Sequence, residues 1–166
     1  INSHYVIMAT KKGQVVKTSL EKYSRPRANG INAINIKDDD ELLEAKLTTG
    51  NSQIMLAVKS GKAIRFEEDK TRPLGRGASG VRGIKLKNQL DEVIGMVSVS
   101  DVNSDILVVS ENGFGKRSSL DDYRITNRGG KGVKTISITE KTGNLVALKN
   151  VSDDDDLMII KKYVVA

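Results

Sequence analysis

Residues 74–83 read LGRGASGVRG, and Gly75-Arg76-Gly77-Ala78-Ser79-Gly80 within them satisfies G-x-G-x-x-G. The residues after Gly80 decide the fold. A dinucleotide fingerprint comes after a strand and opens a helix whose N-terminus receives the pyrophosphate, with an acidic residue about 20 positions later. Here the continuation Val81-Arg82-Gly83-Ile84-Lys85-Leu86 alternates with period two and reads as a strand. The glycines therefore belong to a turn loop between strands, and the arginines beside them become the residues of interest.

The same loop recurs. YVIMATKKGQVVKTSLEKYSRPRANGINAINI (5–36), IMLAVKSGKAIRFEEDKTRPLGRGASGVRGIKL (54–86) and ILVVSENGFGKRSSLDDYRITNRGGKGVKTISI (106–138) align as three units. Gly13, Gly61 and Gly113 mark one shared turn and Gly30, Gly80 and Gly132 another. The corresponding loops SRPRANG and ITNRGGKG keep their place but lose G-x-G-x-x-G, which removes the nucleotide reading. Each unit predicts four short strands: an apolar run (6–9, 54–58, 106–109), a strand after a Gly turn (14–17, 62–65), an alternating strand after the basic loop (31–36, 81–86, 133–138), and a last strand (42–47, 93–99, 145–151). Repeats of about fifty residues with four strands each are the pattern of propeller blades. The expected fold is all-β and propeller-like, an incomplete disc with repeats at 1–50, 51–100 and 101–152 and the start of a fourth at 153–166.

Composition narrows the function. The chain has no Cys and a single His, His4, which excludes disulfides, thiolate catalysis and Cys-ligated zinc, and disfavours a Ser-His-Asp triad or a His metal site. The carboxylate runs Asp38–Glu41 and Asp153–Asp156 lack the spacing of a calcium loop and read as Asp-rich turns. No apolar stretch approaches 18 residues and no signal peptide is visible, so the expectation is a soluble, cytoplasmic protein without a membrane partner. An opening on Ile1 suggests a piece of a longer chain.

The net charge of +6 is unevenly distributed. Residues 11–36, 59–87 and 110–134 together carry +14, and the remainder carries −8. Cations thus gather on the second strand, loop and third strand of each unit. Equivalent positions in stacked repeats fall on one band, and a band of fixed cations binds phosphates through counterion release, without reading sequence. Glycine beside arginine lets a backbone approach a phosphate and offer its N–H groups. With two Phe and four Tyr scattered along the chain there is no ladder for stacking single-stranded bases. Duplex DNA is the expected partner. The strongest candidate contacts are Arg25, Arg27, Arg72, Arg76, Arg128 and Lys131 in the loops. Next come Lys12, Lys17, Lys62, Arg65, Lys116 and Arg117 on second strands, with Arg82 and Arg124 beside the loops. Tyr23 and Tyr123 are expected to pin turns.

NRGGKG (127–132) after YRIT, SRPRANGINAI (24–34), MATKKG and GFGKR together resemble the C-terminal domains of DNA gyrase A subunits, over essentially the whole chain. The resemblance implies a β-pinwheel whose blades exchange a strand with a neighbour and whose basic perimeter wraps duplex DNA. The family's box is Q-R-R-G-G-R-G. Here Thr126-Asn127-Arg128-Gly129-Gly130-Lys131-Gly132 matches its last five positions with Lys for Arg, which adds Gly129, Gly130 and Gly132 to the DNA-binding candidates. The resemblance also implies a noncatalytic module of a bacterial, nucleoid-associated enzyme. Its partners would be the rest of gyrase A and the gyrase B subunits in an A2B2 assembly. ATP and Mg would be used on other domains, and this fragment would hold no cofactor or metal. The rival readings are a propeller-like protein-interaction module, the corresponding domain of topoisomerase IV, and, last, an enzyme built on a propeller.

Overall fold

The computed structural model describes residues 3–160, in which eleven β-strands and three short 3-10 turns occur and no α-helix. The first unit supplies β1 (Tyr5–Thr10), β2 (Gln14–Ser19) and β3 (Leu42–Thr48). The second supplies β4 (Gln53–Val58), β5 (Lys62–Glu67), β6 (Val81–Arg82) and β7 (Val93–Val99). The third supplies β8 (Asp105–Ser110), β9 (Gly115–Ser119), β10 (Val133–Lys134) and β11 (Leu145–Val151). A 3-10 turn succeeds each second strand, at Leu20–Tyr23, Glu68–Lys70 and Leu120–Asp122.

These strands form three antiparallel sheets in the orders β3-β1-β2-β6, β10-β5-β4-β7 and β11-β8-β9. The short strands after the second and third basic loops therefore leave their own units. Val81 pairs with Val15 and Arg82 with Gln14, while Val133 pairs with Ala63 and Lys134 with Lys62. Over the described residues the fold is all-β and its three sheets do not close on one another.

The exchange explains two glycines. Gly80 and Gly132 both have positive φ, and a Cβ on either would collide with backbone, the carbonyl of Val15 and that of Ala63 respectively. Only glycine permits both the conformation and the approach. Gly30 has the same backbone conformation but nothing within 4 Å, because no described strand precedes its unit.

Length is where the alternating segments depart from expectation. Only two residues of 81–86 and two of 133–138 form ladder pairs, and 31–36 forms no strand. A segment contributed to a neighbouring sheet is a strand only where that sheet presents an edge, and unit one has no described neighbour on that side. The fourth unit expected over 153–166 shows no strand through residue 160, and residues 161–166 lie outside the described residues.

The core lies between blades. Ile54, Leu56 and Val58 of β4 face Ile7, Ala9 and Val15 of the first sheet, with Ile64, Phe66, Ile84, Val93 and Met96. The alternate residues Met55 and Ala57 face Ile106, Val108, Leu120, Leu145 and Leu148 of the third. With both faces covered, β4 reads as an unbroken apolar run. Strand β8 has one covered face, and Ile106, Val108 and Ser110 are buried while Leu107 and Val109 are half-buried. The fourth strands lie innermost, with β7 packed against both β3 and β11. This leaves the exchanged strands β6 and β10, and the loops before them, on the outer edge.

Candidate nucleic-acid interface

The basic loops sit on that outer edge and touch one another. Between units one and two, Asn35 N–H donates to the carbonyl of Ala78 at 3.2 Å and Arg76 Nη1 to that of Asn32 at 3.3 Å. Arg27 and Arg76 line one shallow hollow with Asn29 and Asn32. Between units two and three, Gly129 N–H donates to Gly83 O at 2.7 Å, and Lys85 N–H to Gly130 O at 2.8 Å. Arg128 donates from Nε to Lys70 O and from Nη1 to Arg82 O, both at 3.1 Å. The loops thus form one continuous ridge held by hydrogen bonds to backbone.

Most candidates occupy this ridge or its flanks. Arg25, Arg27, Arg72, Arg76, Arg82, Lys116, Arg124 and Lys131 are exposed, and Lys12, Lys62 and Arg128 are half-buried. Lys116 Nζ rests on Thr135 O at 3.3 Å and Lys12 Nζ on Gln89 O at 3.1 Å, both exchangeable contacts at the surface. Tyr123 is buried with its hydroxyl hydrogen-bonded to that of Thr135, so it pins the turn below the third loop.

Three second-strand cations have another occupation. Lys17, Arg65 and Arg117 stand at equivalent register positions, opposite Ile7, Met55 and Leu107. Lys17 is 4% exposed, with Nζ 3.5 Å from Glu68 Oε1 and 4.4 Å from the Tyr5 ring centroid. Arg65 is 7% exposed and donates from Nη1 to the carbonyls of Leu120 at 3.1 Å and Tyr123 at 2.9 Å. Burial pushes its pKa down, opposed by Asp121 and Glu67. Arg117 lies at the surface but is taken by Asp105 at 2.8 Å and Asp153 at 2.7 Å, and these hydrogen bonds, Asp153 foremost, push its pKa up. Lys17 and Arg65, expected from the sequence as phosphate contacts, thus stand in the joints between blades, and Arg117 is ion-paired. A lysine in a short strand looks the same in sequence whether it faces water or the next unit's turn.

Two glycines of the box have partners within the fold as well. The Gly129 N–H expected to be free is engaged by Gly83 O, and Gly132 serves close packing against Ala63. Gly130 is exposed. Sequence reasoning missed Lys59, Lys85, Lys87 and Lys134, which lie at the hairpin end of the same edge. The density of cations over 59–87 carries that signal, although the loop arginines account for only part of it.

The repeat has counterparts in known proteins. A family model described as "DNA gyrase C-terminal domain, beta-propeller" matches three times, at residues 4–49, 53–100 and 104–152. The DNA gyrase A subunit of Staphylococcus epidermidis (strain ATCC 12228) is 48% identical over 157 residues, 94% of this chain and 18% of that protein. The DNA gyrase A subunit of Staphylococcus aureus (strain MRSA252) is 46% identical over 159 residues, 95% of this chain and 18% of that protein. The chain thus spans under a fifth of the length of these relatives. Among solved structures, the C-terminal domain of DNA topoisomerase IV superposes with a TM-score of 0.85 at 25% identity, over 91% of this chain and 47% of that one. The DNA gyrase A C-terminal domain gives 0.81 at 27% identity, over 93% and 51%.

Proposed function

The chain belongs to the DNA gyrase C-terminal domain family, and from that premise we propose that it binds duplex DNA without sequence preference and wraps it along the outer edge. The supporting observation is the ridge of three hydrogen-bonded loops, which carries Arg25, Arg27, Arg72, Arg76, Arg124 and Lys131 exposed along one edge. A duplex laid there meets cations from every unit. Bending a site of 20–30 base pairs by 40–90° costs about 1–6 kcal/mol, which phosphate neutralisation offsets. In the parent enzyme the wrapped segment would be presented to the cleavage core in a defined crossing, supporting ATP-driven negative supercoiling. On this reading the piece is noncatalytic and acts in the bacterial cytoplasm. The rest of gyrase A and the gyrase B subunits are its partners, and ATP and Mg are handled on other domains.

A salt titration with a 30-base-pair duplex tests the proposal. Four to six phosphate contacts give a log-log slope of roughly −4 to −5. Affinity that is flat between 50 and 200 mM salt, or absent at low salt, overturns it. A topoisomerase IV role is the second reading, favoured by the TM-score of 0.85. The 48% identity to a gyrase A subunit weighs against it. A parent enzyme carrying this domain that relaxes DNA but introduces no negative supercoils would decide for topoisomerase IV.

A further inference from the structure

Away from the loop arginines, the hairpin end of the second sheet holds a dense group of ammonium groups. Lys59, Lys62, Lys87 and Lys134 line a cleft of about 580 Å³ with Ile136 and Ile138. An adjoining hollow of about 270 Å³ is also lined by Lys62 and Lys87 and adds Lys85 and Lys131. Among the described residues none of these six lysines forms an ion pair. Lys62 and Lys134 are directly opposite in the β5–β10 ladder, and like charges so placed are destabilising unless an anion lies between them.

Among the described residues one carboxylate lines the cleft, Asp91, and it is already committed. It is buried and accepts from Ser60 Oγ at 2.7 Å, from Ser60 N–H at 3.1 Å and from Lys87 N–H at 3.1 Å. Its role is to hold the cleft's two walls, the hairpin turn and the connection into β7, in place. The other units lack this chemistry at equivalent positions. In unit one, Lys11 is neutralised by Glu41 at 2.8 Å and Gln14 stands in place of Lys62. In unit three, Glu111 and Phe114 stand where Lys59 and Lys62 do.

We propose that this cleft is a phosphate anchor, in which the backbone of the wrapped duplex seats two phosphates between Lys62 and Lys134, with Lys59, Lys85, Lys87 and Lys131 around them. Ammonium groups act as point charges and hold phosphate oxygens without demanding one orientation. The anchor fixes the middle unit as the place where DNA is gripped hardest, with the flanking loops guiding the bend. It rests on the wrapping reading, and its test is separable from it.

The test measures binding of a 30-base-pair duplex as a function of salt for the unmodified protein, the double variant Lys62→Gln with Lys134→Gln, and the double variant Lys62→Arg with Lys134→Arg. The Gln pair makes the log-log slope shallower by about 1.8, at about 0.9 per phosphate contact. The Arg pair restores it, and urea denaturation of the Gln pair shows stability equal to or above that of the unmodified protein. If the Gln pair keeps the full slope while the unmodified protein binds steeply, the anchor is wrong and wrapping stands. If the unmodified protein binds no duplex, the wrapping reading fails and the anchor with it.

Discussion

Lys17 of the first blade and Glu68 of the second form a buried pair across the joint between them, Nζ to Oε1 at 3.5 Å. Glu68 is fully buried, and it also accepts from the hydroxyl of Thr48 and from Ser52 N–H at 3.0 Å. Arg65 makes the corresponding reach into the third unit, but to carbonyl oxygens. Chemically different pairs therefore solve one geometric problem, tying the turn after a second strand to the blade before it.

Removing one partner of the first joint leaves an uncompensated buried charge. Glu68→Ala is expected to cost about 3–5 kcal/mol, read as a fall in the urea midpoint. Replacing both partners, Lys17→Met with Glu68→Leu, removes the unpaired charge and recovers part of that loss, the remainder reflecting the acceptor that Thr48 and Ser52 N–H lose. Duplex affinity of the double variant, measured well below its unfolding transition, stays within about twofold of the unmodified protein, because Lys17 is inside the joint and its charge is already matched by Glu68.

Arg65→Met keeps the bulk but abandons two buried carbonyls. Each unsatisfied group costs about 1–3 kcal/mol, so a loss of roughly 2–6 kcal/mol is expected in chemical denaturation. The salt slope of duplex binding is unchanged. A shallower slope without loss of stability would make Arg65 a phosphate contact after all.

The exposed loop arginines should behave in the opposite way. Arg72→Ala with Arg76→Ala removes two cations from the ridge and is expected to make the salt slope shallower by about 1.8. Stability shifts by about 0.5 kcal/mol or less, since neither side chain is buried. Undiminished binding would show that the middle loop touches no phosphate.

The pinch points of strand exchange are tested by glycine substitution. Gly80→Ala and Gly132→Ala each combine positive φ with a collision against a neighbouring strand's carbonyl, and each should cost more than about 1 kcal/mol. Gly30→Ala has the same φ penalty in open space and should cost less. Equal midpoints for all three variants would argue that the exchanged strands are held elsewhere.

Within the core, Phe66 is fully buried at the interface between the first two blades. Phe66→Ala is expected to destabilise by about 3–5 kcal/mol, and differential scanning calorimetry would register it as a large drop in Tm.

The period, the strand positions and the regions of dense charge are legible in the sequence. The β7 and β11 boundaries agree with the apolar runs at 93–99 and 145–151. Such features depend on near neighbours along the chain: an alternation, a glycine at a turn, a local density of cations. Partners from other units are not legible. Val81-Arg82 and the equivalent Val133-Lys134 are strands because β2 and β5 offer them edges, whereas 31–36, with as clear an alternation, meets no edge.

The same division runs through the interface. By itself the sequence determined that the protein is an array of β units with its cations concentrated in each loop and its flanking strands, because composition and periodicity are local properties. Only the tertiary structure decided that Lys17 and Arg65 face the next blade while Lys62 and Lys134 stand opposite each other at an open cleft. The reason is that the direction of a charged side chain is set by what packs against its strand, and that neighbour lies some fifty residues away in the chain.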